Sequence, residues 1–526
     1  MIIHDMDKLN TIWGIQQRLA PNSFGRLEKI KIRNCLGLIH FPCYVKSIIQ
    51  SLRTLTIIDC KYLEEIFNLR GVNERETHDG TSCLPVAVKQ QHAINVSWLT
   101  NLMNVDVRGC DGLKYLIPTT VGKELSTLTS LTIERCPMME VIITDDNTNQ
   151  FSTDEIFDPR GVNARGTDDD TNGLPVVVKQ QRVLKINVKG YYVLQVMFPN
   201  LERMSISYMD KLNTIWGMQQ RLVPNSFGRL YSSMIRNCLG FVSIFPCYII
   251  SMIPSLENLT ISDSKSHEEI FDLQGVNERE THDGTCSLPI AVKQQLAASV
   301  SWFPNLMHID VKGCGRLKHL LPATVAKELS KLKSLTIERC PMMEVLIIDD
   351  NTNQSFIDKI LFPNFEEFII IDVDKLNTIC HWLHYFLQLP LVLFPNLEGM
   401  IITDMAKLNT IWGLQQQIPP NSFGRLNKIK IKNCEGFSKG LPLSLLKSLN
   451  YLQVLELQSF AKSLMQLQEL KIESCVGLEH IVAVDEGTDT SISFVFPKVT
   501  WLQLWDLPKL KGFYPGRFTT EWPSMS

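Results

Sequence analysis

The chain lacks an excess of charge of either sign: 52 lysines and arginines stand against 55 aspartates and glutamates, a formal net charge of −3 over 526 residues. No global basic field exists to hold nucleic acid or an anionic membrane, so neither is expected as a partner and binding must come from local patches. The sequence also lacks any apolar run approaching the roughly 18 to 20 residues of a membrane-spanning helix. No charged-then-apolar leader opens it, so neither insertion nor secretion is expected. A Gly-x-x-x-x-Gly-Lys-Ser/Thr loop is missing, and with it the backbone cradle and lysine that hold nucleotide phosphates. The eleven histidines form no Ser/His/Asp or Cys/His set, and paired carboxylates sit in polar segments that would hold no geometry. No catalytic residue, no cofactor and no enzymatic activity are expected.

What the chain does have is a nine-residue pattern, Leu-x-x-Leu-x-Ile-x-x-Cys. It starts at Leu27, Leu52, Leu102, Leu128, Leu306, Leu332, Leu426 and Leu467, with relaxed copies from Leu201, Leu230, Leu256, Phe365, Leu397, Leu452 and Val499. Positions 1, 4 and 6 are apolar in nearly every copy, and positions 4 and 6 alternate as the inward face of a strand must. Each such side chain contributes about 1.5 to 3 kcal/mol when buried. One unit cannot bury that face alone, so copies must stack on their neighbours into a solenoid. The pattern predicts an α/β fold: an irregular leucine-rich repeat solenoid with a concave parallel β-sheet and short convex helices or loops.

Fourteen cysteines would suggest disulfides, yet nine of them, at 35, 60, 110, 136, 238, 314, 340, 434 and 475, hold position 9 of the unit or its equivalent. A residue repeated once per coil is explained by packing, since cysteine is a small apolar residue with a weak donor. All fourteen thiols are therefore expected to be free, in a reducing compartment. The sequons at Asn95, Asn258 and Asn353 then read as chance.

A longer repeat lies above the short one. The segment from Asp5 to Leu27 returns from Tyr208 to Leu230 and from Asp404 to Leu426, and LTIERCPMMEV occurs at both Leu131 and Leu335. We divide the single solenoid, 1–526, into a first block, 1–203, a duplicated block, 204–400, and C-terminal repeats, 401–526. The segments 68–96, 145–197 and 272–301 are rich in Gly, Asn, Asp and Glu and read as loops off the coil. The stretches from Thr120 to Leu131 and from Thr324 to Leu335 space apolar residues at three and four, which predicts short convex helices. The interval from Leu452 to Leu467 is too short for a coil, which puts one of those two starts in question.

The stretches from Phe198 to Leu212, Leu131 to Asp146 and Cys60 to Glu74 resemble the C-terminal repeats of plant coiled-coil NB-LRR disease resistance proteins. Carrying the resemblance are the Phe-Pro-Asn-Leu lead-ins and the Cys-Pro and Cys-x-x-Leu exits, and it covers essentially the whole chain. It implies a solenoid that senses a pathogen effector or a modified, guarded host protein and restrains a nucleotide-binding ATPase (NB-ARC) module, here one supplied in trans, in the cytoplasm. The phosphate loop of that module is missing from this sequence. Its GLPL-like stretch, Gly440 to Leu443, leads into a repeat, and Met307-His308-x-Asp310 lies inside a strand unit, so both imitate motifs of the module only.

Few local clusters compete with this reading. DDNTN, at Asp145 to Asn149 and again at Asp349 to Asn353, starts like a calcium loop but has Gln150 and Gln354 where glycine is needed. Cys380, His381 and His384 offer zinc-ligand types without a second pair. No metal is expected. Positions 3, 5 and 7 of each unit point out of the concave face. They set Lys29, Lys31 and Arg33 on one rung, Asp310 and Lys312 on another and Lys428, Lys430 and Lys432 on a third. Trp501 and Trp505 stand on the last rung. Exposed tryptophan beside charge is what interface hot spots favour. These rungs read either as partner-binding residues or as solvated strand faces, with Trp505 covering the open end.

The leading expectation is a non-enzymatic, protein-binding solenoid acting in defence. The rivals are a truncated receptor fragment without a ligand of its own and an adaptor of a ubiquitin ligase, which would need an F-box-like head. Aligning Met1 with Met204 and Met400 starts the chain in mid-repeat, so the first coil is expected to fray. Dilute protease should cut first within 68–96, 145–197 and 272–301. Mass spectrometry of the first fragments checks this, and early cuts inside the Leu-x-x-Leu units would overturn the repeat assignment.

Overall fold

Alternation within each nine-residue unit decides the fold. The structure, a computed structural model, describes residues 1–9, 24–39, 51–67, 100–144, 198–212, 214–216, 226–240, 245–246, 253–272, 303–348, 362–376, 394–409, 423–442, 467–483, 492–495, 499–515 and 518–521, less 123, 267, 327 and 439. Fifteen strands form one parallel sheet in chain order, beginning Ile2–His4, Lys29–Arg33, Thr54–Ile58 and Asn104–Arg108 and closing with Lys428–Lys432, Glu469–Glu473 and Trp501–Trp505. In Lys29–Arg33 the two isoleucines are buried and Lys29, Lys31 and Arg33 exposed. Positions 4 and 6 thus build a continuous core while 3, 5 and 7 face outward. The sheet runs unbroken through both block boundaries, at strands Arg203–Met209 and Gly399–Thr403.

Every coil turns at position 8. The residue there has φ between 47° and 64° in all fifteen strands. A left-handed residue costs roughly 1 to 2 kcal/mol unless it is Gly, Asn or Asp. The sequence accordingly places Asp at 5, 59, 263, 372, 404 and 506, Asn at 34, 237 and 433, and Gly at 109 and 313. Neighbouring turns are matched. Asn34 Nδ2 donates to Asp5 Oδ1 at 2.8 Å and Asn433 Nδ2 to Asp404 Oδ1 at 2.7 Å. Where aspartate precedes glycine, a Cβ on Gly109 would lie 2.3 Å from Asp59 Oδ1, so the missing side chain makes room for the carboxylate.

Position 9 then points into the core. All nine of its cysteines are buried and free. Each thiol donates to the carbonyl two residues earlier, as Cys35 does to Arg33 at 3.4 Å and Cys434 to Lys432 at 3.3 Å. Burial pushes the Cys60 thiol up to about 11 and that of Cys238 up to about 12. Cysteines 43, 83, 247, 286 and 380 lie outside the described residues, as do the three polar segments but for Asp272, both DDNTN stretches and the Cys380 cluster.

A second left-handed position opens six of the units. Phe198, Phe227, Phe303, Phe362, Phe394 and Phe423 have φ between 46° and 60°. Their rings are buried, and several meet from coil to coil, with centroids 5.4 Å apart for Phe198 and Phe227 and 5.6 Å for Phe394 and Phe423. Ring burial and these tilted ring contacts offset the backbone strain. The Asn of Phe-Pro-Asn-Leu clamps the preceding coil: Asn305 Nδ2 donates to the Pro254 carbonyl at 2.9 Å and Asn396 to Pro363 at 2.7 Å.

One expectation is corrected here. The helices expected from Thr120 and Thr324 shrink to four residues each, Thr119–Gly122 and Ala323–Ala326. Leu131 and Leu335 belong instead to strands Ser130–Glu134 and Ser334–Glu338, so their spacing from Leu128 and Leu332 is that of positions 1 and 4. Among the described residues the layer behind the sheet is made mainly of short parallel strands, such as Tyr115–Pro118 beside Val141–Thr144 and His319–Pro322 beside Val345–Ile348. The copy starting at Leu452 lies outside the described residues, and Lys428–Lys432 pairs directly with Glu469–Glu473.

Substituting Gly109→Ala should lower the melting temperature, since a Cβ there meets both the left-handed penalty and Asp59. Arg135→Asn should raise it by relieving strain of about 1 kcal/mol. Calorimetry of both variants checks the turn, and equal melting temperatures would remove position 8 from the account. For the thiols, at most five should react quickly with an aromatic disulfide reagent at pH 8 in the folded chain. All fourteen should react after denaturation without reductant.

Candidate functional site

Parallel register converts the outward positions into columns. Across the last five rungs, position 3 reads Glu367, Gly399, Lys428, Glu469, Trp501; position 5 reads Ile369, Ile401, Lys430, Lys471, Gln503; position 7 reads Ile371, Thr403, Lys432, Glu473, Trp505. With strands about 4.8 Å apart, the lysine rung and the tryptophan rung stand about 10 Å from each other. The structure therefore brings Lys428, Lys430, Lys432, Trp501 and Trp505 onto one surface. Lys29, Lys31 and Arg33 lie eleven strands away at the other end, and Asp310 and Lys312 lie four strands away.

The lysine rung is not a bare basic stripe. Lys428 Nζ lies 3.5 Å from Glu469 Oε2, and Lys432 Nζ 3.2 Å from Glu473 Oε2. Lys471 Nζ is 2.6 Å from Glu469 Oε1. The hydrogen bond from Lys471, with Lys428 beside it, holds the Glu469 carboxyl below the usual glutamate range. Lys471 also stands over the Trp501 ring at 5.1 Å, and Trp501 Nε1 donates to Gln503 Oε1 at 3.2 Å. Trp501 is thus oriented by its neighbours although 55% exposed, and Trp505 is 68% exposed. Next to this charged surface, Ile369, Ile371 and Ile401 form a half-buried aliphatic strip. Gly399 leaves a notch beside it, since a Cβ there would meet nothing within 4 Å.

The other two rungs differ in kind. Asp310 holds Lys312 at 3.0 Å, and its Oδ1 is buried without a hydrogen-bond partner among the described residues. Its neighbour His308 shares a 2.8 Å hydrogen bond, Nδ1 to Ser334 Oγ. Lys29, Lys31 and Arg33 face Ile2 and His4 on one side and Thr54, Thr56 and Ile58 on the other, and none forms a salt bridge among the described residues. Glu469, Lys471 and Glu473, the aliphatic strip and the Gly399 notch were missed by reading units singly. Aligning positions 3, 5 and 7 between consecutive units would have found them. No group of three or more His, Cys, Asp or Glu among the described residues is placed to hold a metal ion, and no helix among them is long and apolar enough to cross a membrane.

Stacked strands, left-handed turns and buried Leu-x-x-Leu-x-Ile-x-x-Cys units define a leucine-rich repeat solenoid. The repeat profile described as "Plant disease resistance protein RPS2-like, leucine-rich repeats" matches residues 1–137, 81–158, 200–341 and 342–461. The chain belongs to that family. No curated protein matches it. Among solved structures it is similar to the Toll–Spatzle complex of Drosophila, at 11% identity and a TM-score of 0.40, over 91% of this chain and 48% of that one. It thus spans about half the length of the Toll-complex chain. It is also similar to a leucine-rich repeat protein of Leptospira interrogans, at 12% identity and a TM-score of 0.29, over 86% and 92% of the two chains. A TLR13–ssRNA13 complex gives 11% identity and a TM-score of 0.24, over 91% and 65%.

Proposed function

We propose that the chain is a non-enzymatic, protein-binding solenoid that serves as the recognition region of a plant intracellular immune receptor and acts in defence from the cytoplasm. Membership of the resistance-protein repeat family supports the setting. One observation carries the binding role: two half-exposed tryptophans, a paired Lys/Glu surface and an aliphatic strip share one stretch of concave sheet. Aromatic anchors ringed by charge are the composition of an interface hot spot. A pathogen effector or a guarded host protein fits this surface, and a nucleotide-binding module engaged in trans fits the family setting.

An interaction screen of the full chain against effectors and resistance-protein nucleotide-binding modules tests the proposal. Replacing Trp501 and Trp505 with Ala should weaken the interaction by about 2 kcal/mol or more. Reversing charge at Lys428, Lys430 and Lys432 should mainly slow association and flatten its salt dependence. If both variants keep full binding, the concave surface is not the site.

A further inference from the structure

The strand Trp501–Trp505 is the last of the fifteen-strand sheet, and no described strand pairs with its far side. Its sequence, Trp501-Leu502-Gln503-Leu504-Trp505, reads the same in both directions. Trp501 N–H donates to the Gln468 carbonyl at 3.1 Å, and the Trp505 carbonyl accepts from Ser474 at 2.9 Å. The odd-numbered residues therefore address the neighbouring strand. By the alternation of a strand, Leu502 and Leu504 turn their backbone N–H and C=O groups to the free edge. Their side chains hold positions 4 and 6, buried in the other complete coils, yet they are 39% and 37% exposed here. Behind them Leu507, Leu510 and Phe513 are only partly buried against the core.

We infer that this edge pairs with the same edge of a second copy of the chain, antiparallel about a two-fold axis through Gln503. The palindrome makes the edge self-complementary, as a two-fold interface demands. Leu502 then faces Leu504 of the other copy, and both present free backbone groups, so the two copies exchange about four hydrogen bonds in the narrow pairs of an antiparallel ladder. Trp501 faces Trp505 of the other copy in the wider-bonded positions, where side chains approach most closely, and aromatic pairs across strands are stabilising. Gln503 meets its own counterpart on the axis. Leu502 and Leu504 of each copy are covered, and the two concave faces join on one side of a continuous sheet. A second strand with unpaired groups and an alternating aromatic and aliphatic face is what such an edge recruits. The contact is one strand deep, which places it below the roughly 1,200 Å² of stable complexes and makes the dimer concentration-dependent. It needs no third protein and does not rest on the proposed receptor role.

Sedimentation of the full chain over a range of concentrations, with cysteine cross-linking, tests this. The chain should pass from monomer to dimer as concentration rises. Gln503→Cys should form a disulfide-linked dimer under mild oxidation well above the unsubstituted chain, because its Cα atoms sit within the roughly 4.4 to 6.8 Å of a disulfide. Trp501→Cys or Trp505→Cys alone should not, since like residues then lie about 13 Å apart, whereas a mixture of those two should. Gln503→Lys keeps a partner for Glu473, which Gln503 Nε2 now contacts at 2.6 Å, so the chain should fold with an unchanged melting temperature. It sets like charges on the axis, however, and should abolish the dimer. Charge reversal at Lys428, Lys430 and Lys432 should leave the dimer intact, which separates this inference from the receptor role. The inference is overturned by a chain that stays monomeric at every concentration, by Trp501→Cys cross-linking as readily as Gln503→Cys, or by a dimer that survives Gln503→Lys.

Discussion

The left-handed residue at position 8 is the constraint from which the rest of each coil follows. It turns the chain out of the strand, so that position 9 drops into the core instead of continuing the strand. Its own N–H is not lost to the ladder. Asp5 donates to the Arg33 carbonyl at 3.0 Å, Asp59 to Arg108 at 2.8 Å and Ser474 to Trp505 at 2.9 Å, each reaching the next coil. The carbonyl of position 7 thus takes one bond from the neighbouring coil's turn and another from its own thiol, as at Arg33 and Lys432. A coil that turns differently would break its bond to the neighbour as well as its own closure. Nearest-neighbour coupling of this kind is what makes a solenoid stable as a sum of repeats and interfaces.

The inner face was legible in the sequence because its signals are local. Leucine at positions 1 and 4, isoleucine at 6 and cysteine at 9 all fall within nine residues, and Ile30, Ile32 and Cys35 are buried as that spacing requires. The layer behind the sheet was less legible. In Tyr115–Pro118 three consecutive residues are buried, and a continuous short apolar run does not distinguish strand from helix. The Phe turns were hidden for another reason, since a bulky residue with positive φ contradicts local propensity. Burial of the ring against that of the neighbouring coil, as between Phe198 and Phe227, offsets it. The pairing of Lys428 with Glu469 spans 41 positions, a matter of register that no reading of one unit reveals.

The duplicated blocks separate scaffold from surface. Strands Ser130–Glu134 and Ser334–Glu338 carry the same Ser, Thr and Glu outward, and the Asp106–Arg108 pair at 2.7 Å returns as Asp310–Lys312 at 3.0 Å. In contrast, Lys29 and Lys31 correspond to Ser232 and Met234 while Arg33 is kept as Arg236; inward, Ile32 and Cys35 keep buried counterparts in Ile235 and Cys238, and Ile30 is replaced by the buried Ser233. Inner columns are bound by packing, where a single methylene is felt. Outer columns answer only to their neighbours across the sheet. A repeat array of this kind varies its outer surface with little change to its fold.

That freedom shapes the surface around the lysine rung. Because Lys428, Lys432 and Lys471 already hold Glu469 and Glu473, a protein laid over them gains little from charge alone. It must either match the hydrogen bonds of the pairs or leave desolvated charges behind, and the second course is costly. Affinity must then come from burial, which Ile369, Ile371, Ile401 and the tryptophans supply on either side of the charged rungs. On the proposed binding role, apolar contact would set how tightly a partner holds, while the ion pairs would decide which partners are refused. A bare lysine stripe would instead attract any acidic surface. The compensated arrangement is therefore less sticky toward acidic surfaces in general than the lysines alone would be.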